Sequence, residues 1–311
     1  MEAHKLIIIG GGPTAWSAAT YAGRADLAPL VLAGEKSGGQ LTLTTIVENF
    51  PGFPEGVDGT TLVQKMRDQA EKFGSSVKEE TVMSIDSSKR PFTVQTSTGE
   101  YQADAILIAT GAETVWLNVP GEKELIGRGV SSCAVCDAAF FRGKRTVVIG
   151  GGDAAMEDAL ALTKFAESVT MVHRRDEFRA SKIMVDRVVS NEKVNVIWNS
   201  GVERIVGETK VTGITLKNFL TGEVRDQAID GVFVAIGHRP TTEFLKDVVA
   251  LDERGYVVTQ FGLQAPYPTS TSVEGIFAAG DCVDFKYRQA ITASAFGVMA
   301  ALDIERWLEK V

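Results

Sequence analysis

The sequence predicts an α/β chain made of two parallel-sheet units. Three observations carry that expectation: a strand, glycine turn and helix in succession that occur twice, a series of short β-branched apolar runs, and a surplus of glycine. Glycine supplies 31 of the 311 residues, against an ordinary share of about 7%. At about 100–200 residues per domain, the length also predicts two domains.

The first unit opens with an apolar run at residues 5–9, which enters Gly10-Gly11-Gly12-Pro13-Thr14-Ala15. The second opens at 145–149 and enters Gly150-Gly151-Gly152-Asp153-Ala154-Ala155. Continuous runs of this kind read as buried strands. The Ala-, Leu- and Met-rich stretches that follow, about 14–25 and 154–165, read as helices. Both turns have the spacing G-x-G-x-x-A. The first glycine permits a tight turn, and the second lets a pyrophosphate approach the backbone. The small third residue packs helix on strand, and the helix N-terminus offers free N–H groups. One such turn also ends strands for structural reasons alone. Two in matching contexts read as two Rossmann-like, three-layer ββα dinucleotide-binding domains.

Further strands are expected at 29–33, 105–109, 168–173, 231–236 and 275–279. An antiparallel meander is expected over 77–103, turning at Ser87-Ser88 and Thr98-Gly99, and another over 194–232, turning at Thr221-Gly222. A helix over about 290–310 ends the chain. Pro120-Gly121 and Pro240 mark crossings between domains. The first domain is then discontinuous, 1–116 with 246–311, around a second at 117–245.

The residues after the second strand of each unit choose the nucleotide. Glu35 lies about 20 residues past the first turn, where an acid bonds a ribose hydroxyl; a solvated loop acid is the alternative. After the second turn the corresponding place holds His173-Arg174-Arg175-Asp176 and then Arg179. Guanidinium groups there suit the 2′-phosphate of NADP; a solvated basic face is the alternative.

Composition narrows the classes. The 32 basic and 40 acidic residues leave a net charge of −8, which speaks against nucleic acid as a partner. No window approaches 18 uncharged apolar residues, so no membrane span is expected. The N-terminal apolar run is too short for a signal-peptide core, and the expected setting is a reducing cytoplasm. In that setting Cys133-Ala134-Val135-Cys136 reads as a redox or metal-binding pair. Half a zinc site and two inert thiols are the alternatives; zinc needs four ligands, and only Cys282 and three scattered histidines remain. Cys282 reads as a small core residue.

Taken together, several segments are specific. They are Gly38-Gly39-Gln40-Leu41-Thr42, Glu48-Asn49-Phe50-Pro51-Gly52-Phe53-Pro54, Ala109-Thr110-Gly111, Cys133-Ala134-Val135-Cys136-Asp137, His173-Arg174-Arg175-Asp176, Ile236-Gly237-His238, Phe277-Ala278-Ala279-Gly280-Asp281 and Arg288-Gln289-Ala290-Ile291-Thr292. With them the chain resembles the low-molecular-weight thioredoxin reductases from end to end. The resemblance implies an FAD domain split around an inserted NADPH domain that carries the redox pair. It places Gly10, Gly12, Pro13 and Ala15 at the FAD pyrophosphate. It sets Gly39, Gln40, Leu41, Asn49, Thr110 and Gly111 against FAD, Gly280 and Asp281 at its ribityl or phosphate region, and Arg288, Gln289 and Ala290 at the isoalloxazine. NADPH falls to Gly150, Gly152, Asp153, Ala155, His173, Arg174, Arg175, Arg179 and Ile236. Cys136 faces the flavin, Cys133 attacks the partner's disulfide, and Asp137 manages the thiol protons. All three histidines lie at or before position 238, so an acid beside the pair is the nearest proton-handling group, its pKa raised by burial.

The implied partner is thioredoxin and the implied assembly a homodimer. The family turns its inserted domain about two connectors, expected here near 114–119 and 241–245. A reductase of a different small disulfide protein, glutaredoxin-like or peroxiredoxin-linked, is the near alternative. The fused peroxiredoxin reductases carry an N-terminal extension, which a first turn at Gly10 argues against. The arginine cluster argues against a dithiol oxidase or ferredoxin-linked relative. A flavin or zinc binder without turnover is the alternative from another class. Departures from the family pattern at Ala15, Ser132, Ala138, Phe296 and Cys282 bear on substrate range and rate.

Overall fold

The computed structural model describes residues 2–35, 37–44, 46–262 and 264–311. The chain forms two compact units, Met1–Glu113 with Arg239–Val311 and Thr114–His238. The first unit begins with β1 (Glu2–Ile9), α1 (Pro13–Arg24) and β2 (Leu30–Leu32). It passes a short ribbon, β3 (Ile46–Val47) with β4 (Val57–Asp58), and continues through α2 (Gly59–Lys72), β5 (Ser76–Lys78), β6 (Val82–Asp86), β7 (Phe92–Thr96) and β8 (Glu100–Ile108). After β9 (Ala112–Thr114) the second unit holds β10 (Val130–Ser131), α3 (Ala134–Asp137), β11 (Arg145–Gly150), α4 (Asp153–Thr163), β12 (Ser168–Val172), α5 (Lys182–Val189), β13 (Val194–Ile197), β14 (Ser200–Gly207), β15 (Val211–Asn218), β16 (Val224–Ala228) and β17 (Gly231–Ala235). β18 (His238–Pro240) leads back to β19 (Ile276–Ala278) and α6 (Ala290–Leu308).

The second half of β1, residues 6–9, has no polar alternation because both of its faces are buried. Leu6 and Ile8 pack with Ala15, Trp16, Val63, Ala300 and Ile304 from α1, α2 and α6. Ile7 and Ile9 pack with Val82, Ile85, Phe92 and Val94 from the meander. The sheet runs β5-β2-β1-β8-β7-β6, with β19 also on β8. Parallel pairing sets Ile9 beside Leu32 and Ile108, and Ile108 beside Ala278. The C-terminal ends of four strands therefore meet at one edge, the usual place for a ligand in such a sheet.

The second unit repeats the layers. Its parallel sheet runs β10-β17-β11-β12-β13. Val148 and Met171 face Met156, Ala159 and Leu162 of α4, while Val147 and Ile149 face Val202, Ile205, Ile214 and Leu216 of the antiparallel β14-β15-β16 sheet. The α/β class and the ββα layering expected from the sequence are present.

Three local expectations differ. Residues 194–197 do not belong to the second meander: β13 pairs in parallel with β12, Val196 opposite Met171, because α5 supplies the crossover that parallel pairing needs. At the start of the first meander, β5 likewise pairs in parallel with β2. Pro120-Gly121 lies inside the second unit, where the Pro120 carbonyl accepts the Ile205 N–H at 2.9 Å. The crossings are β9 and β18, which pair with each other. Bonds from Thr241 N–H to the Gly111 carbonyl and from Val115 N–H to the Gly237 carbonyl, each 3.0 Å, flank that ribbon.

Candidate active site

In the first unit the candidate residues follow the ends of β1, β8 and β19. Gly10, at φ 133°, lies so close to Ala109 that any side chain would overlap the Ala109 carbonyl. At Gly12 a Cβ would meet nothing within 4 Å. The protein's own backbone thus demands the first glycine, while the second leaves room for a guest. Gly12 caps α1 without a side chain, Pro13 takes the first helical position, and Ala15 is fully buried. The Gly38 N–H donates to the Gly11 carbonyl at 2.8 Å, which brings the single helical turn Gly39–Leu43, with Gly39, Gln40 and Leu41, beside the glycine turn. Gly111 borders open space, and a side chain at Gly280 would overlap Thr14.

Asn49 Nδ2 donates to Gln289 Oε1 at 3.2 Å. Gln289 in turn caps α6 reciprocally with Thr292, and Ala290 begins the helix. The Asp284 carboxylate accepts the N–H groups of Lys286, Tyr287 and Arg288 at 2.8–3.0 Å, holding Arg288 in its left-handed conformation, φ 46°. Glu35 stands exposed beyond β2. Two buried atoms, Asp281 Oδ1 and Thr110 Oγ1, have no hydrogen-bond partner among the described residues. Burial, reinforced by the neighbouring Asp284 charge and opposed by Arg288, pushes the Asp281 carboxyl up to about 7.

The second unit repeats the glycine logic. A side chain at Gly150 would overlap the Ala235 carbonyl, whereas Gly152 borders open space. Asp153 opens α4 and Ala155 is fully buried. β12 ends in His173, only 5% exposed, whose ring fills the space beside Gly151 and neighbours Phe178 and Trp198 with centroids 5.4 and 6.2 Å away. Burial lowers its pKa. Arg174, Arg175 and Arg179 are exposed on the loop that follows, and the Arg179 N–H donates to the Gly151 carbonyl at 2.7 Å. Ile236 follows β17 and is exposed.

Cys133 and Cys136 form a disulfide with their α carbons 5.3 Å apart. Cys133 is the N-cap of α3, its sulfur 3.2 Å from the Cys136 N–H. Ser131 links the pair to the acid: its Oγ accepts the Cys133 N–H at 3.0 Å and donates to Asp137 Oδ2 at 2.6 Å. Asp158 of α4 accepts the Ala134 N–H at 3.1 Å. A disulfide and two glycine turns, each ending a parallel strand, now stand in one chain, and a model of the pyridine nucleotide-disulphide oxidoreductase family matches residues 4–297.

The chain belongs to this family.

Among members that it resembles, the bifunctional thioredoxin reductase/thioredoxin of Mycobacterium leprae is 52% identical; the match takes in 98% of this chain and 66% of that protein. The thioredoxin reductase of Rickettsia prowazekii is 49% identical over 98% of both chains. The solved thioredoxin reductase of Giardia duodenalis superposes with a TM-score of 0.93 at 43% identity, covering 99% of this chain and 100% of its own.

Within this family fold, burial raises the Asp137 pKa while the Ser131 bond opposes it. Burial also pushes the Cys282 thiol up to about 11. Fully buried against the carbonyls of Ala279 and Ile108, that thiol is a core group, as the sequence led one to expect. Four residues that serve the site were missed by reading the sequence: Ser131, Asp158, Ser181 and Asp284. Ser181 carried a signal, since a serine before an apolar helical run is an N-cap pattern. So did Asp284, an acid opening a turn. Asp158 acts across the fold and Ser131 through the fold-back of α3, and neither had one.

Proposed function

We propose that this chain is a thioredoxin-disulfide reductase, taking two electrons from NADPH by way of FAD to the Cys133–Cys136 disulfide and delivering them to thioredoxin. The observation that carries this reading is that disulfide, with a half-buried acid bonded through Ser131, in a chain 49% identical over nearly its whole length to a protein named thioredoxin reductase.

Both cofactors fit the residues present. Open space at Gly12 and Gly111, with two buried, unpartnered oxygens at Asp281 and Thr110, suits a polar chain bearing a pyrophosphate and hydroxyls. Gly10, Gly12, Pro13 and Ala15 would frame the pyrophosphate and Glu35 the ribose. Gly39, Gln40, Leu41, Asn49, Thr110, Gly111, Gly280, Asp281, Arg288, Gln289 and Ala290 would hold the remainder. Open space at Gly152 beside three exposed arginines suits NADPH, with Gly150, Gly152, Ala155, His173, Arg174, Arg175, Arg179 and Ile236 around it. Bound FAD supplies a two-electron carrier between a hydride donor and a disulfide.

The chain's own residues do the rest. After reduction, the Cys136 N–H, 3.2 Å from Cys133 Sγ, is placed to stabilise negative charge on that sulfur. The Cys133 thiolate attacks one sulfur of the partner's disulfide, the second partner sulfur leaves as a thiolate, and a mixed disulfide forms. Cys136 then attacks Cys133 Sγ, re-forming the original disulfide and releasing the partner as a dithiol. Its two protons come from the two enzyme thiols, and Asp137, with its raised pKa, accepts and returns them.

We place this chain in the cytoplasm, a reducing setting where dithiols delivered to partners persist. A homodimer is supported by α6: Ile291, Ala295 and Met299 form an exposed apolar stripe at i, i+4 and i+8, the pattern of an interface. The deciding assay is NADPH-dependent reduction of thioredoxin. The wild type reduces it, while Cys133→Ser fails and keeps NADPH–ferricyanide activity. Full thioredoxin reduction by the variant overturns the role of Cys133. A wild type that spares thioredoxin but reduces another small disulfide protein moves the assignment to that partner.

A further inference from the structure

Asp153 stands directly after the second glycine turn, where a phosphate is expected, although a carboxylate there repels a phosphate. Its hydrogen bonds run to a residue on another element. One oxygen, Oδ1, accepts both the backbone N–H of Ser181 at 2.9 Å and its hydroxyl at 2.7 Å. Those bonds hold the Asp153 carboxyl below its ordinary pKa. Ser181 is the N-cap of α5, at the far end of the loop that begins at His173 and carries Arg174, Arg175 and Arg179. The same loop is tied to the glycine turn twice more. Arg179 N–H donates to the Gly151 carbonyl at 2.7 Å, and the His173 ring fills the space where a Gly151 side chain would stand. All three ties lie inside the second unit. None uses a guanidinium group, and all three arginines are exposed.

We infer that Asp153 and Ser181 are positioning residues, a latch that sets the arginine loop against the glycine turn and so makes the site prefer a nucleotide bearing a 2′-phosphate. The inference rests on the NADPH reading of this unit. Its physical basis is preorganisation. Ordering a loop at the moment of binding consumes interaction energy, and a backbone already fixed at both ends leaves only the arginine side chains to order.

The test is titration calorimetry of the holoenzyme with 2′,5′-ADP and with 5′-ADP. The wild type binds 2′,5′-ADP at least about ten-fold more tightly, as charge-assisted bonds to one extra phosphate require. Asp153→Ala lowers that ratio about ten-fold, the loss falling on 2′,5′-ADP. Asp153→Asn keeps an acceptor oxygen while losing the charge, and holds the ratio within about two-fold. Ser181→Ala retains the backbone bond, falls between, and gives the reading if Asp153→Ala does not fold. A ratio unchanged in both alanine variants overturns the latch. So does an equal loss in Asp153→Asn, which assigns the effect to charge. A wild type with no preference overturns the NADPH reading and the latch with it.

Discussion

Asp137 is held between two opposing influences: burial favours its neutral form, and the Ser131 hydroxyl favours the charged one, with burial the larger. Its folded pKa therefore lies above the unfolded value of about 3.9. Between those two values the folded chain binds the extra proton, so stability falls as pH rises through that window and is fully present below it. Asp137→Asn has no such slope. Its denaturation midpoint matches wild type at pH 4 and exceeds it at pH 8, while thioredoxin turnover drops about a hundredfold; equal midpoints at both values sink the account. Sequence alone pointed to Asp137 through its place after the cysteines. Ser131 is two residues before Cys133 in sequence, yet its bond to Asp137 exists only because α3 folds the chain back on itself, and no spacing rule reads that. Asp153 shows the converse. Its position was legible, but its hydrogen-bond partner lies 28 residues on, across a strand and a loop.

At the scale of elements, the two glycine turns divide their labour in the same way. Gly10 and Gly150 are fixed by neighbouring carbonyls, whereas Gly12 and Gly152 border open space. Gly10→Ala is therefore a folding defect, costing on the order of 2 kcal/mol or more through overlap at a positive φ. Gly12→Ala, at φ −96°, folds with wild-type helicity and purifies depleted of flavin. Circular dichroism melts and the ratio of visible to protein absorbance separate the two, and a flavin-replete Gly12→Ala refutes the division. Both units were legible because a strand buried on two faces leaves an uninterrupted β-branched run, and a glycine turn punctuates it. α2 was not, since it buries few residues, Leu62, Val63 and Ala70 among them, too sparse a stripe to mark its period. β13 was misplaced because Val194 and Val196 alternate like a meander strand, and alternation is silent about whether the neighbouring strand is parallel.

For the molecule as a whole, net charge conceals local chemistry: a sum of −8 coexists with the arginine loop proposed above to hold a phosphate. The apolar stripe of α6 makes its own prediction. Met299→Glu places a charge on the proposed dimer face, and sedimentation velocity should find a monomer, with an unaltered melting profile for the isolated chain. A variant that sediments as a dimer removes α6 from the interface. The paired strands β9 and β18 have a different consequence. In such a ribbon the way out of the first unit and the way back lie one strand spacing apart, about 4.8 Å. To the first unit, the whole of Thr114–His238 is topologically a hairpin loop. Closing a loop costs only a logarithm of its length, so a complete folded body hangs there for about 3 kcal/mol more than a tight turn. In the terms of protein engineering the ribbon is a splice site. A cargo of another size, or of another specificity, exchanged between Glu113 and Arg239 leaves the register of the host sheet untouched.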